Sequence, residues 1–240
     1  MEVCCTYCQE KVELLTAECP RCGSPLAESM LDYAQSLLEE DRVDQAFAFC
    51  ARAASLLRSA DDMHGLSAVL HLQAEIYVEQ DRNDEALELH LQAETICRRL
   101  EDPLGLAEQL YCRGSILFEQ QKYDQAQVCF DEMETLVRQV DYNEGISRAL
   151  CCRANVIERQ GDYDLAMRLY KEEEKLCRRN DLTENLTLSL HNQALLLIRH
   201  LDRSADAMLL LEEASKLAEA FDEAYASELV CLIEKTRNDN

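Results

Sequence analysis

Two C-x-x-C pairs stand near the start of the chain, Cys5-Thr6-Tyr7-Cys8 and Cys19-Pro20-Arg21-Cys22, with ten residues between them and Gly23 behind the second. Each pair predicts a tight turn whose backbone N–H groups point at the sulfurs, and Gly23 permits a positive φ after the second. Two such turns facing each other place four thiolates, Cys5, Cys8, Cys19 and Cys22, at the corners of a tetrahedron, the arrangement structural Zn2+ prefers. The stretch offers few aliphatic side chains beyond Val3, Val12, Leu14 and Leu15. That is too small a core for so short a segment to fold unaided. A bound metal would supply the missing free energy, on the order of 10 kcal/mol or more. Two redox-active dithiols are the other reading, although no thioredoxin-like βαβ pattern surrounds either pair. Cys4 could replace Cys5 only through a three-residue gap.

The segment resembles a short zinc ribbon over residues 3–24, carried by the four cysteines with Pro20 and Gly23. Ribbons of this kind bind nucleic acid, dock proteins or cap a larger fold. The first role needs basic and aromatic side chains. Here Lys11, Arg21 and Tyr7 stand against Glu2, Glu10, Glu13 and Glu18, so a structural or protein-docking element is expected.

Nothing else in the sequence has catalytic spacing. The five histidines, His64, His71, His90, His191 and His200, share no metal-ligand spacing, and neither a Gly-rich phosphate loop nor a nucleophile elbow occurs. Acidic runs such as Asp61-Asp62 and Glu172-Glu173-Glu174 are expected on solvated helix faces. Cys112, Cys151 and Cys152 are expected in packed cores; a redox switch across Cys112 and Cys152 is the sharper alternative. A non-enzymatic protein is therefore expected. The formal charge of −23, from 24 Lys and Arg against 47 Asp and Glu, repels phosphate backbones and makes nucleic acid an improbable partner. No apolar run approaches the roughly 18 residues of a membrane span. Thirteen cysteines behind an N-terminus without a secretory pattern suggest a reducing, cytoplasmic setting.

The elements that must carry these residues are legible as a repeat. Small residues recur forty apart at Ala34, Ala74, Gly114, Ala154 and Ala194. Twelve further on stand Ala46, Ala86, Ala126 and Ala166, with Ala207 shifted by one residue inserted near Ser204. Four beyond those stand Cys50, His90, Phe130, Tyr170 and Leu211. Each unit reads as two helices. In 66–80 a stripe at Leu66, Val69, Leu70, Ala74, Tyr77 and Val78 has the 3.6-residue period. After a polar break at Asp81-Arg82-Asn83, a second helix over about 84–100 turns Ala86, Leu87, Leu89, Ala93, Ile96 and Cys97 inward. Asp44, Asp84, Asp124 and Asp164 are placed to satisfy N–H groups at the starts of the second helices, and Arg98-Arg99 and Arg178-Arg179 lie near C-terminal ends. Six Gly, three Pro and no Trp fit a helical chain better than a sandwich or barrel.

These units resemble tetratricopeptide (TPR) repeats of the longer forty-residue type found in kinesin light chains and many bacterial arrays. The segments Arg153–Ala166 and Asn192–Ile198 carry the likeness best. The usual early tryptophan is replaced by Leu70, Leu110, Leu150 and Leu190. The resemblance implies an all-α, right-handed α-solenoid. Residues 1–26 would be the ribbon. Residues 27–221 would hold five hairpins, divided at about 27–63, 64–103, 104–143, 144–183 and 184–221. Residues 222–240 would be a capping helix, over about 222–235, with a polar tail. It also implies a concave groove lined by the first helices, where a partner protein, peptide or helix binds. Carried over register by register, the facing residues are His71 and Glu75, then Tyr111, Ser115 and Phe118, then Arg148, Cys151, Asn155 and Arg159, then His191, Asn192, Leu195 and Arg199.

The Lys, Arg and Asn clamp that some members use for chaperone tails is not assembled at these places. Of the asparagine ladder of the kinesin type, Asn192 matches one rung, while Leu72, Cys112 and Cys152 break others. Residues 147–186 carry 8 basic and 8 acidic side chains, whereas residues 67–106 carry 3 and 9. An acidic partner segment would be tolerated only near Arg148, Arg153 and Arg159, with Arg153 alternatively paired to Glu158 or Asp162 in its own helix, while basic segments would be drawn to the first units. The expected function is a protein-interaction scaffold with structural Zn2+, homo-oligomerisation remaining open. The alternative is a zinc-ribbon regulator of transcription or nucleic-acid complexes.

Overall fold

The computed structural model describes residues 2–13 and 16–238, with Asn238 described in its backbone alone. Leu14 and Leu15, counted above among the ribbon's aliphatic residues, and the last two residues of the polar tail lie outside the described residues. A two-stranded antiparallel sheet, β1 (Glu2–Cys4) and β2 (Lys11–Glu13), pairs Val3 with Val12. Eleven helices follow among the described residues. They are α1 (Ala27–Glu39), α2 (Val43–Ser59), α3 (Met63–Glu79), α4 (Asn83–Arg99), α5 (Pro103–Glu119), α6 (Tyr123–Gln139), α7 (Asn143–Gln160), α8 (Tyr163–Arg179), α9 (Thr183–His200), α10 (Ser204–Ala218) and α11 (Glu223–Asn238). Helices adjacent in sequence pack in pairs, α1 on α2, α3 on α4, α7 on α8 and α9 on α10, with α11 against α10, and α11 runs three residues beyond the expected end. No described helix is long and apolar enough to cross a membrane.

The chain forms two compact units, residues 1–116 and residues 117–240. In the first, the sheet, the cysteine turns and α1–α4 share one core, in which Val3, Cys5, Val12, Cys19, Leu26 and Met30 pack with Phe49, Leu57, Leu66 and Leu70. In the second, α8–α11 close around Leu190, Leu197, Leu211, Leu229 and Ile233. The recurrent alanines lie in the core: Ala74, Ala154 and Ala194, like Ala46, Ala86, Ala126, Ala166 and Ala207, are fully buried. A larger side chain at those points would hold the axes apart.

The turns explain why so few glycines suffice. At nearly every helix end one residue adopts left-handed backbone, and it is a carboxylate or amide residue: Asp41, Asp61, Asp81, Glu101, Gln121, Asp141, Asp181 and Asp202, with φ between 51° and 60°. Glycine takes this place once among these turns, at Gly161 with φ 92°. The next N–H then bonds back five residues into the helix just ended, as in Arg42 to the Leu37 carbonyl at 2.8 Å and Arg82 to that of Tyr77 at 2.8 Å. This is the Schellman closure, which satisfies carbonyls the helix end would leave free. Asp tolerates the left-handed region better than most residues.

Capping differs in detail from the sequence expectation. Asp44, Asp84, Asp124 and Asp164 sit inside the first turn, where they favour the positive dipole end. Side-chain caps are made instead by Asp62, Asp102, Asp162 and Asp222, whose carboxylates accept from Gly65 N, Gly105 N, Leu165 N and Tyr225 N respectively, at 2.9–3.0 Å. The residue immediately before a helix has the extended backbone from which a carboxylate reaches the third N–H, and a residue one step inside does not.

Candidate functional site

The two cysteine turns are built alike. In the first, Gln9 N donates to the Cys5 carbonyl at 2.8 Å and Cys5 N to that of Glu10 at 2.9 Å. In the second, Gly23 N donates to Cys19 O at 2.8 Å and Cys19 N to Ser24 O at 2.8 Å. Both turns need a positive φ after their second cysteine, supplied by Gly23 at 73° and, less readily, by Gln9 at 57°. The turns bring Cys5 Sγ to 3.7 Å from Cys22 Sγ and Cys8 Sγ to 3.7 Å from Cys19 Sγ. All four sulfurs lie within 4.8 Å of one another. Sulfurs held about 2.3 Å from a tetrahedral ion are about 3.8 Å apart, so the cluster has the dimensions to hold a metal. The Ser24 hydroxyl, 3.3 Å from Cys22 Sγ, and its backbone N–H lower the Cys22 thiol pKa to about 6, while, against the pull of the Glu10 backbone, burial and the neighbouring thiols raise that of Cys8 to about 12. Cys4 lies exposed on β1, outside the cluster.

The ribbon docks on α1. Thr6 N donates to Ser29 Oγ at 2.9 Å, the Thr6 and Ser29 hydroxyls are 2.8 Å apart, and Leu26 and Met30 are buried beneath the sheet. Two of its three basic and aromatic side chains are engaged locally. Arg21 pairs with Glu10, and the exposed Tyr7 donates to Glu28 at 3.3 Å.

The residues expected on first helices fall on α3, α5, α7 and α9, in varied states. In the first unit, His71 on α3 sits 3.5 Å from Glu75 and 3.3 Å from the Gln109 amide. The Glu75 carboxylate raises the His71 pKa, and His71 in turn lowers that of Glu75. On α5, Ser115 Oγ donates to the Tyr111 carbonyl at 2.9 Å and so serves its own helix. In the second unit, Arg148, Arg159 and Arg199 are solvent-accessible. The Arg159 guanidinium lies 5.9 Å from the ring centres of both Phe118 and Tyr123. Asn155 accepts from the buried Tyr170 hydroxyl, Asn192 Nδ2 lies 3.3 Å from Cys151 Sγ, and His191 Nδ1 lies 2.8 Å from the Tyr225 hydroxyl. Arg153 is not paired within its own helix. It reaches α6, with Nε 2.6 Å from Asp131 and a second contact to Glu134.

Two local expectations change, and the redox alternative for the cysteines loses support. Glu173 is not on a solvated face: it is 1% exposed, at the core register that holds Ala53, Ala93 and Met133 in earlier repeats. Burial raises its pKa to about 8, against the pull of the Ser147 hydroxyl at 3.1 Å. Cys151 and Cys152 are poor redox groups. Burial pushes Cys152 up to about 12 and Cys151 well above the ordinary thiol range, opposite to what thiolate chemistry requires. Last, His71, His90 and Cys112, which share no motif, converge from three helices until one ligand atom of each lies within 4.8 Å of the others. The signal was present in the register, where His90 takes a place held elsewhere by Cys50, Phe130, Tyr170 and Leu211.

No family model and no curated protein matches the chain. Solved structures do. A Podosopora anserina putative kinesin light chain of nearly identical TPR-like repeats superposes with a TM-score of 0.68 at 15% identity, over 82% of this chain and 96% of that one. The STAND protein with a tetratricopeptide repeat sensor from Pyrococcus horikoshii gives 0.74 at 14% identity, over 89% of this chain and 34% of that one. The Rap conjugation gene regulator of plasmid pLS20, in complex with the Phr* peptide, gives 0.69 at 15% identity, over 89% of this chain and 59% of that one. At such identities the likeness is one of fold, and that fold is the TPR-like helical repeat.

Proposed function

We propose that the chain is a non-enzymatic scaffold or adaptor of the cytoplasm. It holds a partner peptide or helix against its first helices and carries a structural Zn2+ on Cys5, Cys8, Cys19 and Cys22. The observation that carries the docking part is the exposure of Arg148 and Arg159 on α7 and of Arg199 on α9. Exposed guanidinium groups suit the carboxylates of an acidic peptide. A neighbour of the same fold holds a peptide in its solved structure, which supports the class of partner. In the first unit the balance of 3 basic and 9 acidic side chains over residues 67–106 favours basic segments.

The zinc part rests on the sulfur spacing and the matched turns. The ribbon's core is continuous with α1–α3, so the ion would fix the N-terminal end of the repeats as well as the ribbon itself.

The test is direct peptide binding. Peptides selected from a display library on the intact protein are titrated against the triple substitution Arg148→Ala, Arg159→Ala, Arg199→Ala. Acidic peptides are expected to bind about tenfold or more weakly to the variant. Equal affinity for both proteins would remove this face from the reading.

A further inference from the structure

We propose that His71, His90 and Cys112 form a second metal site, a set of two imidazole nitrogens and one thiolate sulfur for a borderline or soft d10 ion, Zn2+ or Cu+. The three residues come from α3, α4 and α5 of the first unit, and their ligand atoms already lie within 4.8 Å of one another. Closing on an ion at about 2.0–2.3 Å from each atom needs only side-chain adjustment of about 1 Å.

The hydrogen bonds around the rings prepare them as ligands. Gln109, itself buried, sits between the two imidazoles, with Oε1 2.8 Å from His90 Nδ1 and Nε2 3.3 Å from His71 Nδ1. An amide oxygen only accepts and an amide nitrogen only donates. His90 therefore carries its proton on Nδ1 and keeps the lone pair on Nε2. His71 keeps a lone pair on Nδ1 and directs its Nε2 proton toward Glu75 Oε1 at 3.5 Å. Each ring thus has one lone pair and a polar partner on its other nitrogen, the pattern by which proteins orient metal-binding histidines. On binding, the ion would replace the Gln109 amide hydrogen at His71 Nδ1. One thiolate with two imidazoles selects Zn2+ or Cu+ over hard cations such as Mg2+ or Ca2+.

Burial gives a second reason. His90 is 1% exposed and occupies a register that other repeats fill with cysteine, phenylalanine, tyrosine or leucine. An imidazole there is costly to desolvate, and packing alone does not call for it. His71 and Cys112 are only partly buried, which leaves the ion a route from solvent. The nearby Arg113 guanidinium is held 2.6 Å from Glu94, so its charge is offset beside the site.

The experiment measures metal content by mass spectrometry after dialysing the intact reduced protein against Zn2+ or, anaerobically, Cu+. The same is done for His90→Phe, which installs the Phe130 side chain of the next repeat, and for Cys112→Ser at a partly exposed position. Circular dichroism checks folding in each. The expected result is one equivalent of Zn2+ or Cu+ beyond that of the four-cysteine cluster, lost in both variants while the cluster's own equivalent remains. A single equivalent with both ions, or an extra equivalent that survives Cys112→Ser in folded protein, overturns the site.

Discussion

Replacing Glu173 by Gln should change how stability depends on pH more than it changes stability itself. The Glu173 carboxyl is enclosed on α8, with Ser147 Oγ donating to Oε1 at 3.1 Å and no partner for Oε2. It ionises near 4.5 in the unfolded chain and near 8 in the folded one. A raised folded pKa means that the group costs nothing below its unfolded value. The cost then grows as pH rises and is complete once pH passes the folded value. At about 1.36 kcal/mol per pH unit, the loss between pH 5 and pH 7 is about 2–3 kcal/mol, and by pH 9 it is about 5 kcal/mol in total. The neighbours do not titrate in this window: burial raises Cys177 to about 11 and Cys152 to about 12, and holds Cys151 and Tyr170 above their ordinary ranges. Gln keeps the shape and the acceptor for Ser147 and removes the ionisation. Urea unfolding of both proteins from pH 5 to 9 isolates the effect, because the self-repulsion of a chain with charge −23 is nearly common to the two. The difference between them should move in favour of the variant by about 2–3 kcal/mol from pH 5 to 7. Parallel curves would refute the claim that this carboxylate is desolvated.

Three further outcomes are expected. Chelation, or the pair Cys5→Ser and Cys19→Ser, should raise hydrogen exchange in β1, β2 and α1 while leaving α9–α11 unchanged, because Val3, Leu26 and Met30 share a core with α1–α3. Asp141→Gly and Asp181→Gly should each stabilise by about 0.5–1 kcal/mol in thermal unfolding. Both residues hold φ above 50° at a helix C-terminus, where a carboxylate faces the negative dipole end. Asp162→Ala should cost about 1 kcal/mol by removing the 3.0 Å cap on Leu165 N, whereas Asp164→Ala, one step inside the helix, should cost only a few tenths.

The repeat was readable because close helix crossings tolerate only small side chains. Alanines forty apart therefore mark the hairpins, and one inserted residue near Ser204 did not hide the fifth. The cysteine cluster was readable for a similar reason, since two local turns fix four sulfurs. What stayed hidden depends on which neighbour lies across a helix interface. The acidic run around Glu173 has the composition of a solvated face, and only its register beside Ala53, Ala93 and Met133 points inward. His71, His90 and Cys112 lie on three helices with no motif linking them, so their approach emerges only when the helices pack. The pairing of Arg153 with Asp131 and Glu134 is likewise a contact between helices, and its own helix offers equally plausible carboxylates in sequence.

Photo-crosslinking locates the bound peptide directly. A benzophenone side chain is placed at position 159 or 199 on first helices, or at Val128 or Leu209, which are 63% and 67% exposed on second helices. A selected peptide is expected to crosslink from 159 and 199 and not from 128 and 209. Capture from the second helices alone would contradict a scaffold that works through its first helices.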